Sequence, residues 1–296
     1  MPRRSNHRFA LEMMLIATVI LLVSAASVPT SRPTTQQNDG DYQAHVDALR
    51  KRLPKQFTIV VQKPFVVIGD ESPDVVRQRS RQTVGWAVEH LKRAYFSRDP
   101  ERILNVWLFK DAESYETHAK EMFGEKPGTP YGYYSPRDGA LVMNISTGGG
   151  TLVHEIVHPF IEANFPNCPA WFNEGLGSLY EQSAERDGEI IGLPNWRLRG
   201  LQKAIREDRL LSLEALTSLS TAEFYGDQSG RNYAEARYLC QYLQEKQLLK
   251  TFYRQFVEHA ANDPTGYETL KRVLGSGEIS THERDFKRFV MRLEFP

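Results

Sequence analysis

The chain has 296 residues, 41% of them hydrophobic, enough for a sizeable core in one domain or in a domain with an appendage. Lys plus Arg number 37, as do Asp plus Glu, so the formal net charge is zero. That balance gives no electrostatic ground for a nucleic-acid partner or an anionic membrane surface.

At the N-terminus, Arg3, Arg4 and Arg8 precede an apolar run over 13–23 and the small residues Ser24-Ala25-Ala26-Ser27. Basic, apolar, then small is the order of a secretory signal. Residues 1–27 are therefore read as a signal peptide, with an uncleaved anchor as the alternative. In both cases the rest of the chain is exported: periplasmic, secreted, or anchored and facing outside the cytoplasm. Membrane contact is expected only for the anchor. An oxidising compartment permits a bridge between Cys168 and Cys240, the only two cysteines; two unpaired thiols are the alternative.

Residues 28–50 read as a linker, rich in Pro, Ser, Thr, Gln and Asn over 28–41, with a short helix expected over 42–52. The β-branched and aromatic runs 57–61 and 65–68 predict two strands. Apolar spacing over 74–96 predicts one amphipathic helix. A buried strand is expected over 103–109, and a helix over 111–122 with Asp111 as its cap. The Gly/Pro/Tyr-rich stretch 124–139, with Tyr131, Tyr133 and Tyr134, reads either as an aromatic loop packed on the core or as the wall of a substrate cleft. Residues 140–145 read as a strand, which a glycine-rich turn (Thr147 to Thr151) joins to a helix. That turn lacks the Lys and the spacing of a phosphate-binding loop. Beyond residue 195 the pattern is helical: 195–207, 212–219, 231–247, 249–261, 265–274 and 280–293. Residues 51–190 thus form an α/β part and 191–296 a helical part.

The chemistry centres on His154-Glu155-Ile156-Val157-His158. Helical positions i and i+4 share a face, so His154 and His158 can aim two imidazoles at one spot. Glu155 sits one step round, able to reach a metal-bound water without being a ligand. Sixteen positions past His158 lies Glu174, whose carboxylate would complete a His₂Glu site with one open position, the pattern of a catalytic zinc. Pro159 predicts a kink just past the second His, because proline removes the bond to the carbonyl four residues back. Glu181, on the face of Glu174, reads as a solvated or supporting group rather than a ligand. Tyr233, near the start of a helix, could place a hydroxyl in the cleft.

With these residues in view, the chain resembles the gluzincin metallopeptidases, and within them the peptidase MA-like group of exported bacterial proteins. Trp171-Phe172-Asn173-Glu174-Gly175-Leu176-Gly177-Ser178-Leu179-Tyr180-Glu181 follows the gluzincin pattern W-x-N-E-G-x-A-x-Y-x-E closely. The resemblance implies that His154, His158 and Glu174 hold Zn²⁺, that Glu155 is the general base and that Tyr233 stabilises the intermediate. Ser178 stands where thermolysin-type relatives carry an Asp that orients a ligand His. The 139–144 stretch lacks the Glu with which aminopeptidase relatives hold a free amine, which directs the expectation to endopeptidase action. The fold implied is α+β and zincin-like: a small mixed sheet with the metal helix, followed by a mainly helical C-terminal part. The expected function is zinc-dependent hydrolysis of peptide bonds in a peptide or protein substrate, with the strand 140–145 aligning the substrate by backbone pairing. The alternative is a non-catalytic zincin-fold binding or scaffold protein of the cell envelope.

Overall fold

A computed structural model describes residues 37–124 and 126–295. The expected signal or anchor and the first part of the linker lie outside them. No helix among the described residues is long and apolar enough to cross a membrane.

The folded body begins earlier than its composition suggests. Helix α1 (Asp39–Arg52) opens on a capping box at Asn38 and buries Tyr42, Val46 and Leu49. The helix expected over 42–52 is present and starts three residues earlier, inside the stretch read as linker, and its three apolar side chains at helical spacing find a sheet to cover. Strands β1 (Thr58–Gln62) and β2 (Phe65–Gly69) pair antiparallel. The single helix expected over 74–96 is α2 (Pro73–Arg79), a π-helical turn over Ser80–Gly85, and α3 (Trp86–Ala94). Strand β3 (Leu104–Phe109) and helix α4 (Ala112–Phe123) follow, with Asp111 capping α4 through the Ser114 amide. Residues 124–139 are not all loop: β4 (Gly132–Ser135) pairs antiparallel with β5 (Ala140–Asn144).

Sheet order is β1-β2-β3-β5-β4, with β2, β3 and β5 parallel. The three parallel strands are almost wholly buried, because helices cover both faces. Side chains alternate accordingly. Phe65, Val67, Leu104, Val106, Leu108, Leu141 and Met143 join the main core. Val66, Ile68, Trp107, Phe109, Ala140 and Val142 face α1 and α4. This order corrects one expectation. β5 is flanked by β3 and β4, so its backbone groups are taken, and of the two marginal strands, β1 and β4, it is β4 that lines the cleft.

Helices α5 (Gly150–Asn164) and α6 (Ala170–Leu179) come next, and α5 stays helical through Pro159. A hairpin of β6 (Ser183–Arg186) and β7 (Glu189–Gly192) turns at Asp187-Gly188, both at positive φ (54° and 77°). The C-terminal half is helical as expected. It comprises α7 (Arg197–Arg206), α8 (Leu213–Thr217), α9 (Thr221–Phe224), α10 (Ser229–Glu245), α11 (Leu249–His259), α12 (Tyr267–Leu274) and α13 (Ile279–Arg292). Trp171 and Phe172 of α6 pack on Phe252 and Phe256 of α11, each fully buried. A buried side chain of this size contributes roughly 1.5–3 kcal/mol. The mixed α+β composition expected from the sequence is what the structure contains.

Candidate metal centre

The metal helix leaves the sheet at the end of β5 through Ile145-Ser146-Thr147 and the glycine turn. Gly150 is where a side chain cannot fit: a Cβ there would lie 2.0 Å from the Glu181 carbonyl oxygen. That approach brings the start of α5 against the end of α6, and the two helices carry the ligands. Arg237 of α10 fixes α6 from behind. Fully buried, it donates from Nε to the Ser178 carbonyl (3.0 Å) at the α6 C-terminus and also bonds the Leu193 carbonyl. A cation at that end complements the helix dipole and satisfies an orphan carbonyl.

His154 and His158 lie one turn apart on α5 with ring centroids 4.9 Å apart. Nε2 of His154 is 3.1 Å, and Nε2 of His158 3.9 Å, from Oε2 of Glu174. The three ligand atoms all fall within 4.8 Å of one another. A tetrahedral zinc site with bonds near 2.0–2.2 Å spaces its ligand atoms by about 3.3 Å, so this set fits a metal ion with small side-chain adjustments.

The outward ring nitrogens are also held. His158 Nδ1 meets Asn173 Oδ1 at 2.9 Å. His154 Nδ1 lies 3.4 Å from Glu181 Oε1, an ion pair without hydrogen-bond geometry. Glu181 in turn accepts from Arg197 through both oxygens (2.7 and 3.1 Å) and from Asn195. Such outer partners set the ring orientation and basicity of a ligating histidine. Glu181 is thus buried and supporting rather than solvated. Ser178 is buried with its hydroxyl unpartnered. Gly177 backs the His154 ring; a Cβ there would sit 3.2 Å from three ring atoms, so the glycine leaves room for the imidazole.

Charge follows from this packing. Burial raises the Glu174 carboxyl, but the His154 hydrogen bond and both imidazoles outweigh it and hold the pKa at about 2. Burial likewise raises Glu181, and His154 with Arg197 brings it to about 2. For His154, burial disfavours the charged ring, yet Glu174 and Glu181 together raise its pKa well above 6.5. In the absence of a cation the imidazole is held protonated between two carboxylates. A metal ion would take the place of that proton.

Beside the ligands, Glu155 is buried, with Oε2 3.8 Å from His158 Nε2. Tyr225 donates from its hydroxyl to Glu174 Oε1 at 2.5 Å. Tyr233 lines the same space, its ring 6.2 Å from that of Tyr225 and capped by the Arg197 guanidinium at 5.2 Å. Burial and the nearby Glu174 carboxylate raise the pKa of both tyrosines, which keeps their hydroxyls protonated donors. The cleft around these groups has a volume of about 1140 Å³, and Tyr131, Tyr134, Trp196 and Glu162 also line it.

His154, Glu155, His158, Glu174 and Tyr233, singled out from the sequence, therefore meet in one cleft. Tyr131, Tyr133 and Tyr134 line it too, which favours the wall reading of 124–139. Tyr225 was not legible as a motif, although Ser220-Thr221-Ala222-Glu223 carries the capping-box signature of α9, whose last turn delivers it. Cys168 and Cys240 are both free thiols, the second of the two alternatives. No protein-family model matches the chain, and no curated protein matches it.

Proposed function

We propose that the chain is an exported zinc-dependent peptidase of gluzincin type, acting as an endopeptidase. The observation that carries the reading is the convergence of His154, His158 and Glu174, from two helices, at the floor of a cleft beside a buried carboxylate that is not a ligand. Zinc is preferred because two imidazoles and one carboxylate suit it, and three ligands leave a position open. When bound, such an ion supplies Lewis acidity that polarises a carbonyl and acidifies water.

The protein's own groups do the rest. Glu155 takes the proton of the attacking water and returns it to the leaving amine. Tyr233 offers a hydroxyl donor for the carbonyl oxygen as it gains charge, while the Tyr225 hydroxyl stays on Glu174 and holds that carboxylate. Glu181, Asn173 and Arg197 fix the imidazoles and need not move during the reaction. β4, at the sheet margin, aligns an extended peptide by strand addition, the role first assigned to β5. The fold class and the resemblance of Trp171 to Glu181 to the gluzincin pattern support the same reading.

Glu155→Gln tests it. We expect zinc content to be retained and hydrolysis of a mixed peptide library to fall by roughly 10²–10⁴-fold. Unchanged hydrolysis in a zinc-replete Gln variant would end the assignment.

A further inference from the structure

Five charged residues besides the histidines line the cleft: Glu155, Glu162, Glu174, Glu181 and Arg197. Three of the carboxylates have duties. Glu174 faces the imidazoles, Glu181 is tied to Arg197, and Glu155 stands next to His158. Glu162 has none of these. It lies on α5 one turn beyond His158 and is exposed. Its partner is a neutral group, the Tyr134 hydroxyl, which donates to Oε2 at 2.7 Å. Tyr134 belongs to β4, so the pair bridges the metal helix and the strand at the sheet margin. The Tyr134 hydroxyl is kept protonated by burial and by this same carboxylate. Among the described residues no cation forms an ion pair with Glu162, although the Arg102 charge reaches its partner Tyr134, so the carboxylate presents an oxygen to the cleft.

Distance and chemistry say what fits. One helical turn is about 5.4 Å, so Glu162 stands one turn along the helix axis from His158. An extended chain advances about 3.3 Å per residue, and a side chain one or two residues from the scissile bond spans that gap. A carboxylate in a cleft that aromatic side chains also line suits a cation, which gains charge-assisted hydrogen bonds and attraction to ring faces. Tyr131 and Trp196, each 54% exposed, add aromatic surface at the same cleft.

We propose that Glu162, with Tyr134, forms a specificity subsite selecting peptides that carry a Lys or Arg side chain close to the scissile bond. This deepens the peptidase reading and rests on it for the position of the bond. The rival role for Glu162 is a strut between α5 and β4. Glu162→Gln keeps an acceptor for Tyr134 and removes only the charge, whereas Tyr134→Phe removes the bond and keeps the charge.

The test uses the zinc-loaded full chain with Glu155→Gln, which separates binding from turnover. Two labelled hexapeptides, identical except for one central Lys or norleucine, and a third with Glu at that position, are titrated by fluorescence anisotropy. We expect roughly tenfold tighter binding of the Lys peptide, a preference abolished by adding Glu162→Gln, reversed towards a Glu peptide by Glu162→Lys, and kept by Tyr134→Phe. Equal binding of the Lys and norleucine peptides, binding of neither, or loss of the preference in Tyr134→Phe as in Glu162→Gln overturns the subsite. Wild-type hydrolysis of the same peptides distinguishes the two ideas. Cleavage without preference sinks the subsite and leaves the peptidase, while a charge preference in binding with no cleavage sinks the peptidase and leaves Glu162 only as a cation-binding position in the cleft.

Discussion

Glu181 decides how the His154 ring is presented, although it touches no ligand position itself. Replacing it with Gln keeps the shape and removes the charge that holds the Nδ1 side of the ring and balances Arg197. We expect zinc affinity to fall by roughly 10–100-fold, read by competition with a chromophoric chelator, with the fold retained. Tyr225→Phe removes the donor at Glu174 Oε1, and a fall in zinc affinity would show that the hydroxyl anchors the ligand carboxylate. Tyr233→Phe should leave affinity alone and lower turnover. The metal-free protein should also show a defined pH dependence. His154 has a folded pKa above its ordinary 6.5, so its contribution is fully present below pH 6.5 and fades as pH rises through the raised value. Glu174 and Glu181 have folded values of about 2 against 4.5, so theirs is present above pH 4.5 and fades on acidification towards 2. Thermal melts of chelator-treated protein should peak between those limits. Zinc affinity should rise with pH because binding must expel the His154 proton.

At the scale of elements, the centre depends on α5 and α6 packing antiparallel along each other and on α10 bracing α6. Gly150 is the tightest point of the first contact. Gly150→Ala places a Cβ against the Glu181 backbone, and we expect a loss of roughly 1–3 kcal/mol in urea unfolding together with weaker zinc binding. Gly200, where a Cβ meets nothing within 4 Å, supplies the control: Gly200→Ala lies inside α7 and should be neutral or stabilising. Many elements were readable in advance because their cue is local. Asp111 caps α4, near-continuous β-branched and aromatic runs mark β2 and β3, and the i, i+4 histidines share one helix. The β6-β7 hairpin carried an equally local cue, Asp187-Gly188, whose two positive φ angles suit the primed two-residue turn. β4 carried none, since a four-residue strand with one free edge owes its conformation to pairing with β5.

Taken whole, the described chain from residue 37 onward belongs to one folded body, and the cleft around its candidate metal site draws on both the α/β part and the helical part. A ligand that binds only the native state stabilises it by mass action. Zinc at about a thousandfold above its Kd should add about 4 kcal/mol, visible as a fall in Tm on chelation that zinc reverses. An unchanged Tm would mean that no ion is held. What the amino-acid order determined alone was the ligand set. The two imidazoles, four residues apart, share α5 and the carboxylate lies on α6 sixteen residues on, and local hydrogen bonding forms each of those helices. What only tertiary structure decided was the surroundings: that Glu181 and not Ser178 backs His154, that Tyr225 joins Tyr233, that β4 and not β5 borders the cleft, and that Glu162 faces it bonded to Tyr134. Those relations join residues from separate elements. They depend on how the elements pack, which no short stretch of sequence encodes.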